Sequence, residues 1–325
     1  MRGALALLFL TSACGGVASS AGGGAGGVGG DAGGNAAWNS FGGISGSGAS
    51  SGSGPGGAAS GGNGFGGIAG SPNGGSSGTG SQVVCPSTTR GPALVPAGII
   101  AGNGFCIDRT EVTEEQFSEF VRDGGAPSAV GDLLPAVCGF KKRFGPLNFR
   151  SASILPMRRV DWCDAATFCA WSGKRLCQAV GDPDYDYTPV ITATNSEWFY
   201  ACSNGGTQRF PWGNNSQPSA CNARCDDNTC DLDGRERVAT RSTCEGGIEG
   251  VYDLGGNQIE WVDWCDSYQD PEGVWCRVQG GYWHDWSYLH DSDEDAGDCK
   301  VSESLPIVVT RDDIGFRCCA DAVVK

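Results

Sequence analysis

The two histidines of the chain both lie in one acidic stretch near the C-terminal end, where they could do metal chemistry. His284 and His290 stand beside Asp285, Asp291 and Asp293. Imidazole and carboxylate groups together hold Zn²⁺, Fe²⁺ or Cu²⁺, which accept nitrogen and oxygen ligands. The spacing matches no standard ligand motif, so the alternative is an acidic, solvated loop with ordinary surface histidines.

Cysteine is the most informative residue type in the composition. The chain has 17 cysteines, of which Cys14 falls in the N-terminal signal region and the other sixteen fall in the region predicted to fold. An even set of cysteines in an exported domain is typical of disulfides, here up to eight. Zinc is weakly indicated, because Cys221, Cys225 and Cys230 lack a matching second pair.

A short acidic run, CDDNTCDLDG, crowds Asp227, Asp231 and Asp233 into one segment. Carboxylates on a loop suit calcium, but the run does not complete an EF-hand pattern. The alternative is a surface loop closed by a disulfide.

The first fourteen residues have the layout of an export signal, with one arginine, an apolar stretch and small residues before Cys14. Ser12 and Ala13 directly before a cysteine resemble a bacterial lipobox, whose cysteine is lipidated and becomes the new N-terminus. Thr11 departs from that pattern, and the alternative is a plain signal peptide cut near Ala13. We expect an outer-membrane lipoprotein or a cell-surface protein, and otherwise a periplasmic or secreted one.

Composition divides the rest of the chain into a tether and one folded head. Residues 15–82 are almost entirely Gly, Ser, Ala and Asn, which predicts a disordered linker with a span of roughly 45 Å. Residues 83–325 carry the aromatic residues and nearly all the charge, which predicts a single domain. The net charge of −15 argues against nucleic acid or anionic lipid as a partner. We therefore expect a monomer that meets a membrane only through its lipid anchor.

Two helices are predicted from capping signals and apolar spacing. Thr113 and Gln116 have the spacing of a capping box, and the apolar residues that follow line one helix face. A second helix is predicted to begin at Asp164, as N-cap, and to stop at Gly173.

Eight short motifs gain weight from their order along the chain. They read I-D-R-T-E-V-T, R-V-D-W-C-D-A, C-A-W-S-G-K-R-L, E-W-F-Y-A, P-W-G, G-V-Y-D-L-G-G-N-Q-I-E-W, G-G and G-F-R-C. In this order they resemble the formylglycine-generating enzyme, or sulfatase-modifying factor, family over about residues 98–322. The resemblance implies an α+β, C-type-lectin-like fold of the formylglycine-generating-enzyme type, loop-rich and stapled by disulfides.

The resemblance also implies what chemistry is missing. Family members that make formylglycine oxidise a substrate cysteine with oxygen and a copper ion held by two thiolates, shortly after a G-G-S motif. Here no cysteine follows Gly281 until Cys299, and His284, Asp285 and His290 occupy that region. We therefore expect no catalytic residue there, no bound copper and no formylglycine generation.

What remains is a non-catalytic binding or surface-display module for a peptide, protein or glycan that the sequence does not identify. Trp283 and Trp286 lie in the loop that forms the family's substrate groove, where they would either face a ligand or pack internally. The alternative function is a metal-dependent oxidoreductase, either formylglycine-generating with other cysteines or built on the two histidines.

A calcium-binding loop and three disulfide bridges are also expected. Family members use the G-x-Y-D-x-x-G-N-x-x-E-W segment as a calcium loop, which here places Asp253, Gly256, Gln258 and Glu260 as ligands; the alternative is that Glu260 makes a buried hydrogen bond. The resemblance implies two disulfide bridges across the domain, and sequence proximity suggests a third. Cys319 is an alternative partner for Cys169. The expected pairs are Cys169–Cys318, Cys202–Cys299 and Cys265–Cys276.

Overall fold

The computed structural model describes the head of the protein with several gaps. It covers residues 81–146, 150–181, 190–217, 219–223, 234–270, 273–283 and 297–325, with backbone alone at 267–270. The predictions for Cys14, for residues 15–80 of the linker, for the acidic run at 224–233 and for the stretch that holds His284, Asp285, His290 and Trp286 lie outside these residues. Gln82, predicted to be the last residue of the linker, is hydrogen-bonded to Lys325 instead. No helix within the described ranges is long and apolar enough to cross a membrane.

The described residues form three α-helices, each of which begins where a capping side chain satisfies its first backbone N–H groups. Helix α1, Glu114–Asp123, begins at Thr113 with the predicted capping box to Gln116. Helix α2, Trp162–Trp171, begins at Asp161, so the prediction of Asp164 as its N-cap is wrong. Asp164 is the third helical residue, and its carboxylate accepts a bond from the backbone N–H of Asp161 at 3.2 Å. Helix α3, Glu197–Cys202, is short.

The described strands form two main sheets and one hairpin. The first sheet has the order β1-β11-β3-β2, with β4 also paired to β11, and is antiparallel throughout. The second has the order β10-β7-β8-β9, in which only the β10–β7 pair is parallel. Strands β5 and β6 form the hairpin. Their bounds are β1 Val83–Val84, β2 Leu94–Ile100, β3 Asn103–Asp108, β4 Arg175–Leu176, β5 Glu245–Gly246, β6 Ile248–Tyr252, β7 Ile259–Asp270, β8 Gly273–Gln279, β9 Ser302–Pro306, β10 Ile314–Phe316 and β11 Cys318–Val324.

The hydrophobic core lies in two parts. One gathers α1 and α2 around rings such as Phe117 and Phe168, whose centroids are 5.9 Å apart. The other packs Trp198 of α3 against the first sheet. Neighbouring residues of a strand point to opposite faces, and Cys318 accordingly belongs to the first part and Cys319 to the second. Strand β11 therefore joins the two cores.

Disulfides hold these parts together. The structure contains the three pairs expected above, Cys169–Cys318, Cys202–Cys299 and Cys265–Cys276. Cys319 is bonded to Cys177 rather than to Cys169. The remaining described pairs are Cys85–Cys106, Cys138–Cys163 and Cys221–Cys244. The predicted α+β, loop-rich and disulfide-stapled architecture is thus confirmed.

Candidate functional site

The G-x-Y-D-x-x-G-N-x-x-E-W segment runs from the end of β6 through a tight turn into β7. Asp253 and Asn257 adopt left-handed backbone conformations, with φ of 67° and 69°, which Asp and Asn tolerate better than most residues. A side chain at Gly256 would meet the backbone of Asn222 at 2.7 Å. The turn aims polar groups into the protein, and Glu260 follows as the second residue of β7.

Glu260 forms a buried ion pair with Arg317, the arginine of the G-F-R-C motif. The guanidinium donates to both carboxylate oxygens at 2.7–2.9 Å, and the side chains are 1% and 0% exposed. The indole N–H of Trp198 donates to Glu260 Oε2 at 2.8 Å. Arg317 also donates to the carbonyls of Asp108 and Tyr252. Breaking such a pair by removing one partner typically costs 3–5 kcal/mol.

Two further carboxyl groups lie close to this pair. Glu111 accepts bonds from the backbone N–H of Gln258 and from the side-chain amide of Asn257, each at 3.1 Å. Burial, and then the neighbouring charges of Asp253 and Glu260, raise the pKa of Glu111 well above its usual range. Burial likewise raises the pKa of Asp253 to about 6. One buried cation therefore faces three buried carboxyl groups, and burial raises the pKa of two of them, Glu111 and Asp253.

These contacts do not fit the expected calcium ligand set well. Both oxygens of Glu260 are taken by Arg317 and Trp198, and Asp253 Oδ2 accepts the backbone N–H of Ala239 at 2.7 Å. The amide nitrogen of Gln258 donates to the carbonyl of Asp312 at 3.3 Å, and only its Oε1 is left buried without a hydrogen-bond partner among the described residues. Among the described residues, no group of three His, Cys, Asp or Glu side chains is placed to hold a metal ion. Calcium at this loop remains a prediction, and Arg317 already supplies the positive charge that it would bring.

A second buried ion pair fixes the start of β4. Lys174 Nζ donates to Asp108 Oδ1 at 2.5 Å and to the carbonyl of Pro92 at 2.6 Å, with both side chains fully buried. Asp108 Oδ2 accepts the backbone N–H of Cys318 at 2.9 Å. The pair thus ties β3 to the disulfide-bearing strand β11.

The cysteines of the described residues are engaged in bridges. All fourteen of them form the seven pairs given above, so none offers a free thiolate. Cys299, the first cysteine after Gly281, is bonded to Cys202 of α3. Trp283 is 6% exposed, which favours the internal-packing alternative for that residue.

Comparison with known proteins places these motifs in a family. Residues 72–322 match the sulfatase-modifying factor enzyme 1-like domain. The chain belongs to that family. Its relatives include the mouse "Inactive C-alpha-formylglycine-generating enzyme 2", 27% identical over 269 residues covering 70% of this chain and 78% of the relative. The mouse "Formylglycine-generating enzyme" is 25% identical over 279 residues, covering 70% of this chain and 68% of the relative.

A solved structure, that of CarF, aligns with a TM-score of 0.45 and 17% identity over 74% of this chain and 98% of CarF. Family membership confirms the resemblance drawn from the eight motifs. Because relatives named as active and as inactive both match, membership in the sulfatase-modifying factor family alone does not decide whether this chain is an enzyme.

Sequence reasoning missed three members of the buried cluster of this sulfatase-modifying factor domain. Glu111, Asn257 and Arg317 lie within the motifs quoted above, but they were assigned no role. For Arg317 the signal was a charged residue inside the otherwise apolar motif G-F-R-C. The contact partners are 146 and 57 residues apart, so the pairing itself could not be inferred from local spacing.

Proposed function

We propose that this sulfatase-modifying factor domain is a non-catalytic binding or display module, exported and held at a membrane through lipidated Cys14. The observation that carries the proposal is the state of the cysteines. Fourteen of the 17 are in bridges, and residues 282–298 contain none. Cu(I) is a soft ion that prefers thiolate ligands, and the usual place for a thiolate pair holds none.

The ligand of this module is a peptide, a protein or a glycan. Catalysis by a metal-dependent oxidoreductase is the competing function, and it would have to use His284 and His290 or the two head cysteines outside the described residues, Cys225 and Cys230. Imidazole and carboxylate ligands favour the harder oxidation state of copper, so they are not a simple replacement for two thiolates.

The decisive assay incubates the protein, loaded with reduced copper, with a sulfatase-type cysteine peptide under oxygen. Mass spectrometry of the peptide detects the aldehyde product, and an active formylglycine-generating enzyme serves as the positive control. We expect no conversion. Conversion would overturn the non-catalytic role, and loss of that conversion in Cys225→Ser with Cys230→Ser, or in His284→Ala with His290→Ala, would identify the residues responsible.

Export and anchoring have an independent test. The density of disulfides supports an oxidising compartment, where such bridges persist. In the native host, mass spectrometry of the mature N-terminus should find diacylglyceryl-modified Cys14, and Cys14→Ser should release the protein from the membrane fraction. An unmodified residue at the mature N-terminus would remove the anchor from the proposal and leave the enzymatic question untouched.

A further inference from the structure

The segment between α1 and α2 is basic in a protein that is otherwise strongly acidic. Residues 133–160 contain six of the 22 lysines and arginines and none of the 37 aspartates and glutamates. A net charge of −15 therefore conceals one region of the opposite sign. Four of these six cations are engaged: Lys141 is paired with Asp161 and Asp164, Arg158 and Arg159 with Asp312, and Arg150 also has an interaction partner.

Lys142 and Arg143 are the exceptions within this segment. Both are exposed, and neither has an ion pair with any residue that the structure describes. They follow directly on Phe140, which is 46% exposed. Phe140 and these two cations thus place apolar and basic side chains next to one another at the surface.

Three large apolar side chains are exposed in this short stretch. Leu133, Val137 and Phe140 are 40%, 41% and 46% exposed. They lie on consecutive tight turns, because the backbone N–H groups of Cys138 and Lys141 donate to carbonyls three residues earlier. We call Leu133, Val137, Phe140, Lys142 and Arg143 together the basic apolar patch.

The patch is presented on a rigid support. Cys138 is bonded to Cys163 in the first turn of α2, and Lys141 Nζ lies 2.7 Å from a carboxylate oxygen of Asp161 and of Asp164. Phe144 is buried, with its ring centroid 4.7 Å from that of Phe120. The segment is thus fixed within the patch, at Cys138 and Lys141, and directly after it, at Phe144, so that binding through it would require little further ordering.

We propose that the basic apolar patch contacts the surface of an anionic lipid bilayer. Apolar side chains that enter the headgroup boundary, with Lys and Arg on lipid phosphates beside them, are the chemistry of interfacial binding. Charge complementarity favours this occupant, because Lys142 and Arg143 are exposed without a described carboxylate partner and can meet lipid phosphates, while the acidic remainder of the head would face away from the bilayer. The choice of a bilayer rests on the proposed anchoring at Cys14, since a linker of roughly 45 Å keeps the head within reach of the membrane.

This inference revises the expectation that the head meets a membrane only through its lipid. The net charge of the whole domain argues against anionic lipid as a partner. The basic apolar patch differs from the rest of the domain, because it has two cations without a described ion pair next to three apolar side chains. Screening confines electrostatic attraction to about 8–10 Å at physiological salt, so a local patch can bind where the whole domain is repelled. Contact would also orient the head, with α1 and α2 toward the bilayer.

The test uses the chain without residues 1–14, so that its outcome does not depend on lipidation of Cys14; its melting temperature should equal that of the full chain. Sedimentation with phosphatidylcholine vesicles is compared with sedimentation with vesicles that also contain phosphatidylglycerol, at low and high salt. We expect binding only to the anionic vesicles, weakened by salt. Lys142→Ala with Arg143→Ala should reduce the affinity about 30-fold, from about fivefold per basic residue, and Phe140→Ser should reduce it further.

The matched control is Lys300→Ala with Lys325→Ala, which removes two exposed cations elsewhere and should leave vesicle binding unchanged. All variants should melt at the temperature of the parent, because the substituted side chains are exposed. Equal loss of binding in the control pair would mean a diffuse charge effect and overturn the patch. Absence of binding to anionic vesicles would overturn the bilayer as occupant and point to an acidic protein partner instead.

Discussion

Asp253→Asn distinguishes a structural carboxyl cluster from a calcium site. The left-handed backbone of Asp253, with φ of 67°, is one that asparagine also tolerates. The backbone N–H of Ala239 donates to Asp253 Oδ2 at 2.7 Å, and an amide oxygen can accept the same bond. The substitution therefore removes the charge and changes little else.

The magnitude follows from the shifted pKa. Burial raises the pKa of Asp253 from 3.8 to about 6, while Arg317 lowers it and Glu260 and Glu236 raise it. About two pKa units correspond to about 3 kcal/mol. Because the folded pKa is the higher one, the stability that Asp253 contributes is present below pH 3.8 and is lost as the pH rises through about 6. Asp253→Asn should leave the free energy of unfolding unchanged below that window and raise it by about 3 kcal/mol above it.

The assay is denaturant unfolding with the disulfides intact, across a pH series and with calcium or a chelator. Buried carboxyl groups that do not interact with Asp253 cancel in the difference between variant and parent, whereas the pKa of Glu111 falls when the charge of Asp253 is removed and shifts the difference in the same direction. Asp132→Asn is the matched control, because it removes one carboxylate charge at an exposed position. A flat difference for Asp253→Asn, or a loss of stability above pH 6, would refute the reasoning. Calcium that stabilises the parent and not the variant would establish the calcium loop.

Two further predictions concern stability. Replacing both Cys169 and Cys318 by serine should lower the free energy of unfolding by about 5 kcal/mol, whereas replacing Cys265 and Cys276 should lower it by about 3 kcal/mol. The reason is that the two bridges close loops of 149 and 11 residues. Denaturant unfolding measures both losses of stability, and equal losses would contradict the chain-entropy argument. Lys174→Met should cost about 3–5 kcal/mol, since it leaves a buried carboxylate of β3 without its cation. Thermal melts test this, and neutralising that carboxylate as well should recover stability if the reasoning is right.

Local signals in the sequence were sufficient for one helix start and misleading at another. The capping box of Thr113 was predicted because serine or threonine followed by glutamine three residues later is a signature of a helix N-terminus. At α2 the chain offers Asp161 and Asp164, which are both good N-caps. The structure uses Asp161 as the cap and Asp164 as its reciprocal partner, so the helix begins three residues earlier than predicted.

The sequence predicted which segment holds the candidate site, but it did not predict the interactions that its side chains make. Glu260 was predicted as a site residue from its motif. Its partner Arg317, however, lies directly after β10, and the neighbouring Glu111 lies in the segment before α1. Whether a buried carboxylate binds a metal or a guanidinium depends on such partners, which only the tertiary fold brings together. The family resemblance supplied the fold and the long-range bridges, because those depend on the order of motifs rather than on local pattern.

The two ends of the head lie side by side, and this determines which bonds would bear a force applied through the tether. Gln82 and Lys325 exchange two backbone hydrogen bonds of 2.9 Å, and these bonds, with the short strand β1, would be the first to open under load. Extension would then stop after roughly 10 Å of chain, because Cys85 is covalently joined to Cys106 in β3. Since β3 is flanked by β2 and β11, the force would pass through a sulfur–sulfur bond into the middle of the sheet rather than unzip it from its edge.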